Sequence, residues 1–106
     1  MIVILLVTVS FFAYSYVRED SVVKNYPSKG SDIIAFGDSL VQGVGASSID
    51  KNFVSLLSRK IGRPIINLGV SGNTTADGVA RLDDLDYYDP IVVLLLLGGN
   101  DQLSKV

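Results

Sequence analysis

The segment Ile91–Leu97 is apolar at every one of its positions, and this constrains the fold more than any other stretch of the chain. A strand with no polar face has to be covered on both sides. That places it in a parallel sheet flanked by helices, not on the half-wetted surface of an antiparallel one. Two shorter segments, Asp32–Phe36 and Pro64–Leu68, predict further strands. Between them, Phe53, Leu56, Leu57 and Ile61 follow the spacing of one helical face, which predicts a helix over Asn52–Ile61. Asp50 is placed to cap its start, and Gly62 stands where a left-handed C-terminal residue belongs. Thr74 or Thr75 can cap a second helix carrying Val79, Leu82 and Leu85. Leu103 points to another helix after the third strand. The order β-α-β-α-β predicts an α/β domain with right-handed crossovers.

With 106 residues there is room for one small domain. Three parts are expected: an apolar segment at residues 1–17, a polar turn-rich linker at 18–31, and an α/β region at 32–106 that forms the front part of a domain. The run Ile2–Val17 is broken only by Thr8, Ser10 and Ser15. As a helix it would be about 24 Å long, short for a bilayer core of about 30 Å. It suits a membrane anchor or the core of a signal segment, with an uncleaved anchor favoured; a buried core helix or strand is the alternative. No lysine or arginine precedes it, and Arg18, Lys24 and Lys29 follow it, which taken literally would keep the remainder cytoplasmic. The net charge of −2 argues against nucleic acid as a partner. The chain has no cysteine and no histidine.

Each predicted strand runs directly into a polar, glycine-containing loop. These are Gly37-Asp38-Ser39, Gly69-Val70-Ser71-Gly72-Asn73-Thr74 and Gly98-Gly99-Asn100-Asp101. Parallel strands carry such loops at one end of the sheet, where open α/β folds place their sites. Ser39 offers a hydroxyl, a weak nucleophile until a base takes its proton. Gly72 lets a backbone N–H approach an anionic oxygen closely, and Asn100 offers a side-chain amide donor; the N–H of Ser39 would be a third. Each residue also has a plainer use. Ser39 can be a turn or cap serine, Gly72 can serve only a positive φ, and Asn100 can cap a helix. Asp38 is expected to brace its own turn and Asp101 to cap the helix that follows, not to form a carboxylate pair. Asp83, Asp84, Asp86 and Asp89 form a solvated surface, with Tyr87 and Tyr88 packing beneath. The region Gly37–Gly45 has neither P-loop lysine nor dinucleotide-type glycine spacing.

The blocks Gly37-Asp38-Ser39-Leu40, Val70-Ser71-Gly72-Asn73-Thr74 and Gly98-Gly99-Asn100-Asp101, in this order and each after a predicted strand, resemble the first three blocks of the SGNH, or GDSL, hydrolase superfamily. Asn67–Thr75, with Gly78 and Ala80-Arg81-Leu82 beyond, is most similar to the bacterial arylesterase, thioesterase and lysophospholipase branch. The likeness spans Asp32 to Asp101. It implies a flavodoxin-like, three-layer α/β/α fold with a parallel sheet, truncated after the third strand and preceded by the N-terminal apolar helix. It also implies hydrolysis of a small-molecule ester or thioester, with lipid esters among the candidates, through an acyl-enzyme and without a cofactor or metal. Ser39 would be the nucleophile, with Gly72 and Asn100 as oxyanion donors. The family's fourth block, Asp-x-x-His, has no counterpart here, so the chain alone is expected to be inactive. The resemblance favours an anchored or exported protein on the periplasmic or extracellular side. The alternative is a membrane-anchored SGNH-like domain that binds a ligand without turnover.

Overall fold

The computed structural model describes residues 27–105 together with Thr8 and Ser10. The remainder of the apolar run 2–17 and most of the linker 18–31 therefore lie outside the described residues. Among those described, no helix is long and apolar enough to cross a membrane.

Strands β1 (Asp32–Gly37), β2 (Ile66–Gly69) and β3 (Pro90–Leu96) form one parallel sheet in the order β2-β1-β3. Helix α1 (Ser39–Gln42) follows β1 at once, and α2 (Phe53–Ile61) leads into β2. Helix α3 (Thr75–Ala80) and a 3₁₀ segment (Leu82–Tyr87) lead into β3, which is followed by α4 (Gly99–Leu103). The chain thus leaves β1 toward one side for β2 and returns across β1 for β3. The direction of winding reverses between β1 and β3, so their carboxyl ends form the switch point where such sheets carry ligands.

β1 is the buried heart of the sheet: Ile34 and Ala35 are fully buried and Phe36 nearly so. Successive strand residues point to opposite faces. Ala35 packs with Val41 of α1, Val54 of α2 and Ile65. On the opposite face, Phe36 and Leu97 lie under Gly78 of α3, where an added Cβ would stand 2.5 Å from Leu97 Cδ1. Helices therefore cover both faces of β1, which gives the expected three layers.

The apolar run of the third strand differs from expectation. β3 borders only β1 among the described strands, and Val92, Val93, Leu95 and Leu96 are exposed. Being apolar on both faces specifies a strand that can be covered; a central position is what covers it, and β1 holds that position. Helix α2 also turns differently. Its buried residue is Val54, while Phe53, Leu56 and Ile61 are exposed. Apolar residues at 53, 54, 56, 57 and 61 share one arc of about 160° of the helix, and the sheet reaches only the Val54 side of that arc. Asn52, not Asp50, caps α2: its Oδ1 accepts from Ser55 N at 2.9 Å, while Asp50 accepts from Ser48 Oγ at 2.6 Å. Gly62 takes the left-handed C-cap, with φ of 67°.

The expected second helix ends at Ala80 and tightens into the 3₁₀ segment, so Val79 and Leu82 no longer share a buried face and both are exposed. Tyr87 is exposed as well and does not pack beneath the acidic residues. Thr74 is the cap of α3 in a reciprocal capping box: its Oγ1 accepts from Asp77 N, and Asp77 Oδ2 accepts from Thr74 N at 2.9 Å.

Gly37 against Leu96 O is one of the two closest backbone approaches an added Cβ would meet, and Gly69 marks the other. A Cβ there would collide with the backbone nitrogen of Gln42, because the end of β2 lies directly against α1. Neither backbone can retreat without breaking the sheet or the helix. Gly69→Ala should therefore cost about 3 kcal/mol of stability, at the upper end of overpacking penalties. Urea unfolding checks this; a midpoint unchanged from wild type would show that β2 does not need to approach α1 so closely.

Candidate active site

The turn between β1 and α1 is built by Asp38. Its carboxylate Oδ1 accepts from Leu40 N at 2.9 Å, and its own N–H donates to Leu96 O at 3.3 Å, which ties the turn to the end of β3. Asp38 is 3 % exposed; it braces its own turn, as expected, and in doing so also caps α1. Ser39 follows as the first residue of α1. It is half-buried, and its Oγ has no hydrogen-bond partner among the described residues. A serine that only capped the helix would be accepting a backbone N–H; Asp38 does that here.

Gly72 lies in a turn closed by Asn73 N donating to Val70 O at 3.2 Å. Its φ of 83° is the left-handed conformation that a type II turn demands at its third residue. A Cβ on Gly72 would meet nothing within 4 Å. Glycine is therefore required by the backbone angle and not by crowding. The Gly72 N–H has no acceptor among the described residues.

Asn100 sits in the first turn of α4 but does not cap it. The cap is Gly98, with φ of 118° and no side-chain hydrogen bond. Instead, Asn100 Nδ2 donates to Asn73 O at 2.9 Å, so the third loop is bonded to the residue next to Gly72. An amide nitrogen carries two hydrogens, and this bond uses one of them. The Asp38 turn lies against the same loop: a Cβ added to Gly99 would stand 3.9 Å from Asp38 Oδ2. All three loops are thus brought together at the carboxyl end of the sheet.

Asp101 departs from expectation. Its carboxylate does not cap its own helix but reaches α3, accepting from Thr75 Oγ1 at 2.6 Å and from Thr75 N at 2.9 Å. The Thr75 hydroxyl first, and the Thr75 N–H second, hold the Asp101 carboxyl below its ordinary value. The bonds from Thr74 N and its hydroxyl do the same for Asp77. Asp38 and Asp101 are therefore both committed to backbone partners and do not form a catalytic carboxylate pair. Among the described residues, no group of His, Cys, Asp or Glu could hold a metal ion.

The residue that spacing and composition did not single out is Arg81. Its Nη2 donates to Gly37 O at 2.8 Å and to Leu68 O at 3.0 Å, and its Nε donates to Asn73 Oδ1 at 2.6 Å. Its guanidinium carbon lies 4.0 Å from the centre of the Phe36 ring. The contact with Asp84 at 3.5 Å is wet on the Asp84 side and contributes little. One signal was available: Arg81 is the only lysine or arginine between Arg63 and Lys105. A solitary cation among strands and glycine loops is a candidate internal anchor. Two cavities flank the region. One of about 540 Å³ is bordered by Gln42, Asn67 and Gly69, and an apolar one of about 390 Å³ by Phe36, Gly78 and Leu97. Neither is lined by Ser39, Gly72 or Asn100.

With this geometry in hand, comparison with known proteins is decisive for the family. Residues 35–106 match the GDSL-like lipase/acylhydrolase family. The chain belongs to this family of SGNH hydrolases. An arylesterase of Vibrio mimicus is 40 % identical over 77 residues, covering 67 % of this chain and 38 % of the relative. Esterase TesA of Pseudomonas aeruginosa is 32 % identical over 77 residues, with the same coverage. In structure, the chain is similar to AlinE4, an SGNH-hydrolase family esterase, with a TM-score of 0.63 and 39 % identity, over 74 % of this chain and 47 % of AlinE4. The chain thus spans less than half the length of each of these relatives.

The Asp101–Thr75 contact gives a pH expectation. A carboxyl whose folded value is lowered adds stability above its ordinary value of about 3.9, and this is lost as pH falls through the lowered one. The Thr75 amide resonance should therefore titrate with a midpoint below about 3.9. A midpoint at or above that value would contradict the tether between α3 and α4.

Proposed function

We propose that the protein hydrolyses carboxylic esters through a serine acyl-enzyme. Ser39 Oγ attacks the ester carbonyl carbon while a base removes its proton. The carbonyl oxygen becomes an oxyanion, met by the N–H groups of Ser39 and Gly72 and by the Asn100 amide. Collapse of this intermediate expels the alcohol, which takes a proton, and leaves the acyl group on Ser39. Water then repeats the sequence and frees the acid. Each such donor is commonly worth about 3–4 kcal/mol in the transition state.

The observation that carries this reading is the meeting of three loops at one end of the sheet. Among the described residues, the Ser39 hydroxyl and the Gly72 N–H there are unpartnered, and one hydrogen of the Asn100 amide stays unspent. Ser39 and Asn100 are half-buried, where polar groups are normally paired, so their unspent hydrogens beside the exposed Gly72 N–H suit a ligand oxygen. The family and its esterase relatives support ester substrates, with aryl, thioester and lysophospholipid esters as the finer candidates. The apolar run 2–17 fits an anchor or export segment that would place the site on the outer side of a membrane.

The rival reading is a domain that binds an ester or acyl ligand without turnover; these 106 residues contain no histidine to act as the base. Supplying a base separates the two. Hydrolysis of p-nitrophenyl acetate is followed with increasing imidazole, for wild type and for Ser39→Ala. The difference between the two should grow with imidazole, because a base in solution can take the Ser39 proton. Equal rates at every concentration would exclude Ser39 as a nucleophile and leave the binding domain.

A further inference from the structure

We infer that Arg81 is the positioning residue of the oxyanion loop; this rests on the reading of Gly72 and Asn100 as oxyanion donors. A glycine turn standing in open space has nothing packed against it to fix the direction of its N–H. Gly72 is such a residue: it is exposed, its φ is positive, and no atom would touch its Cβ. Its direction has to come from the residues on either side. Ser71 N donates to Gln42 Oε1 at 2.7 Å, but Gln42 is itself exposed. Asn73 is held at three points: by Arg81 Nε at its side-chain oxygen, by Asn100 Nδ2 at its main-chain oxygen, and by its own N–H on Val70 O, whose residue donates in turn to Gly37 O at 3.0 Å.

Arg81 is the firmer of these anchors. Its side chain is 17 % exposed and is fixed by the Gly37 and Leu68 carbonyls, which belong to the ends of β1 and β2, and by the Phe36 ring. The rigid sheet therefore sets the guanidinium, the guanidinium sets Asn73, and Asn73 sets both the Gly72 N–H and the Asn100 amide. A planar fork with several donors can meet three acceptors at once; a lysine ammonium has one nitrogen and cannot span them.

Backbone ¹⁵N relaxation of the full chain tests this, with Arg81→Lys, Asn73→Ala and Asn73→Asp. Asn73→Ala removes only the loop's side of the contact and leaves the anchors on β1 and β2. Asn73→Asp keeps an acceptor for Nε and strengthens it with charge. In wild type and in Asn73→Asp the Gly72 order parameter should be near 0.85, as for rigid backbone. In Arg81→Lys and Asn73→Ala it should fall below about 0.6, while Ala35 in β1 stays rigid. In the imidazole-assisted assay, the Ser39-dependent kcat should fall about tenfold or more in these two variants with KM unchanged, as for a lost oxyanion donor. Gly72 remaining rigid in both variants, or Asn73→Asp loosening it as much as Asn73→Ala, would overturn the proposal. If wild type shows no Ser39-dependent turnover, the esterase reading fails, and the relaxation data still decide the role of Arg81.

Discussion

The site depends on one guanidinium. Parallel strands that stop at the same level leave carbonyl groups at their ends beyond the reach of the ladder, and buried carbonyls need donors. Arg81 supplies a donor to Leu68 near the end of β2 and a second, charged one to Gly37 at the end of β1, whose carbonyl also accepts from Val70 N at 3.0 Å. The same group holds Asn73 in the loop after β2. The charge is taken out of most of the solvent and compensated by carbonyl dipoles and the Phe36 ring face, with Asp84 adding only a wet contact. Hydrogen bonds from a charged donor contribute about 1.5–3 kcal/mol each. A single side chain thus joins the ends of two strands to the loop between Val70 and Thr74.

Everything else at the site follows from bringing backbones close together. Gly69 lets β2 lie against α1, and Gly78 lets α3 lie on Phe36 and Leu97. Asn67 reinforces the first approach, donating to Val41 O at 2.7 Å and accepting from Gly69 N at 2.9 Å. Asp101 reinforces the second by joining α4 to the start of α3. The carboxylates near Ser39 are therefore structural, and the groups left unspent are a hydroxyl, a backbone N–H and one amide hydrogen. These are the components that the proposed oxyanion site would use.

Much of this was legible in the sequence, for identifiable reasons. The strands, their parallel arrangement and the convergence of the three loops after them follow from apolar runs that each end in a glycine loop. Those signals are local, and the topology does the rest. The burial of particular side chains was not legible. Val54 rather than Phe53 or Leu56 faces the sheet, and β3 is exposed where β1 is buried. Both depend on which strand is central and how much of a helix one sheet can cover, which no periodicity encodes. The partners of Asp101 and Arg81 were likewise hidden. Arg81 bonds Gly37, far away in sequence, and Asp101 bonds Thr75. A capping residue is visible locally only when its target is its own helix, as for Asp38 and Thr74.

The central claim is that Ser39 faces a hole formed by its own N–H, the Gly72 N–H and the Asn100 amide. The most direct measurement is a crystal structure of the protein after reaction with a fluorophosphonate, whose phosphoryl oxygen imitates the oxyanion. The account predicts a bond from Ser39 Oγ to phosphorus, with that oxygen about 2.7–3.1 Å from Ser39 N, Gly72 N and Asn100 Nδ2. An adduct on another residue, or a phosphoryl oxygen turned toward solvent with the Gly72 and Asn100 donors unengaged, would contradict it.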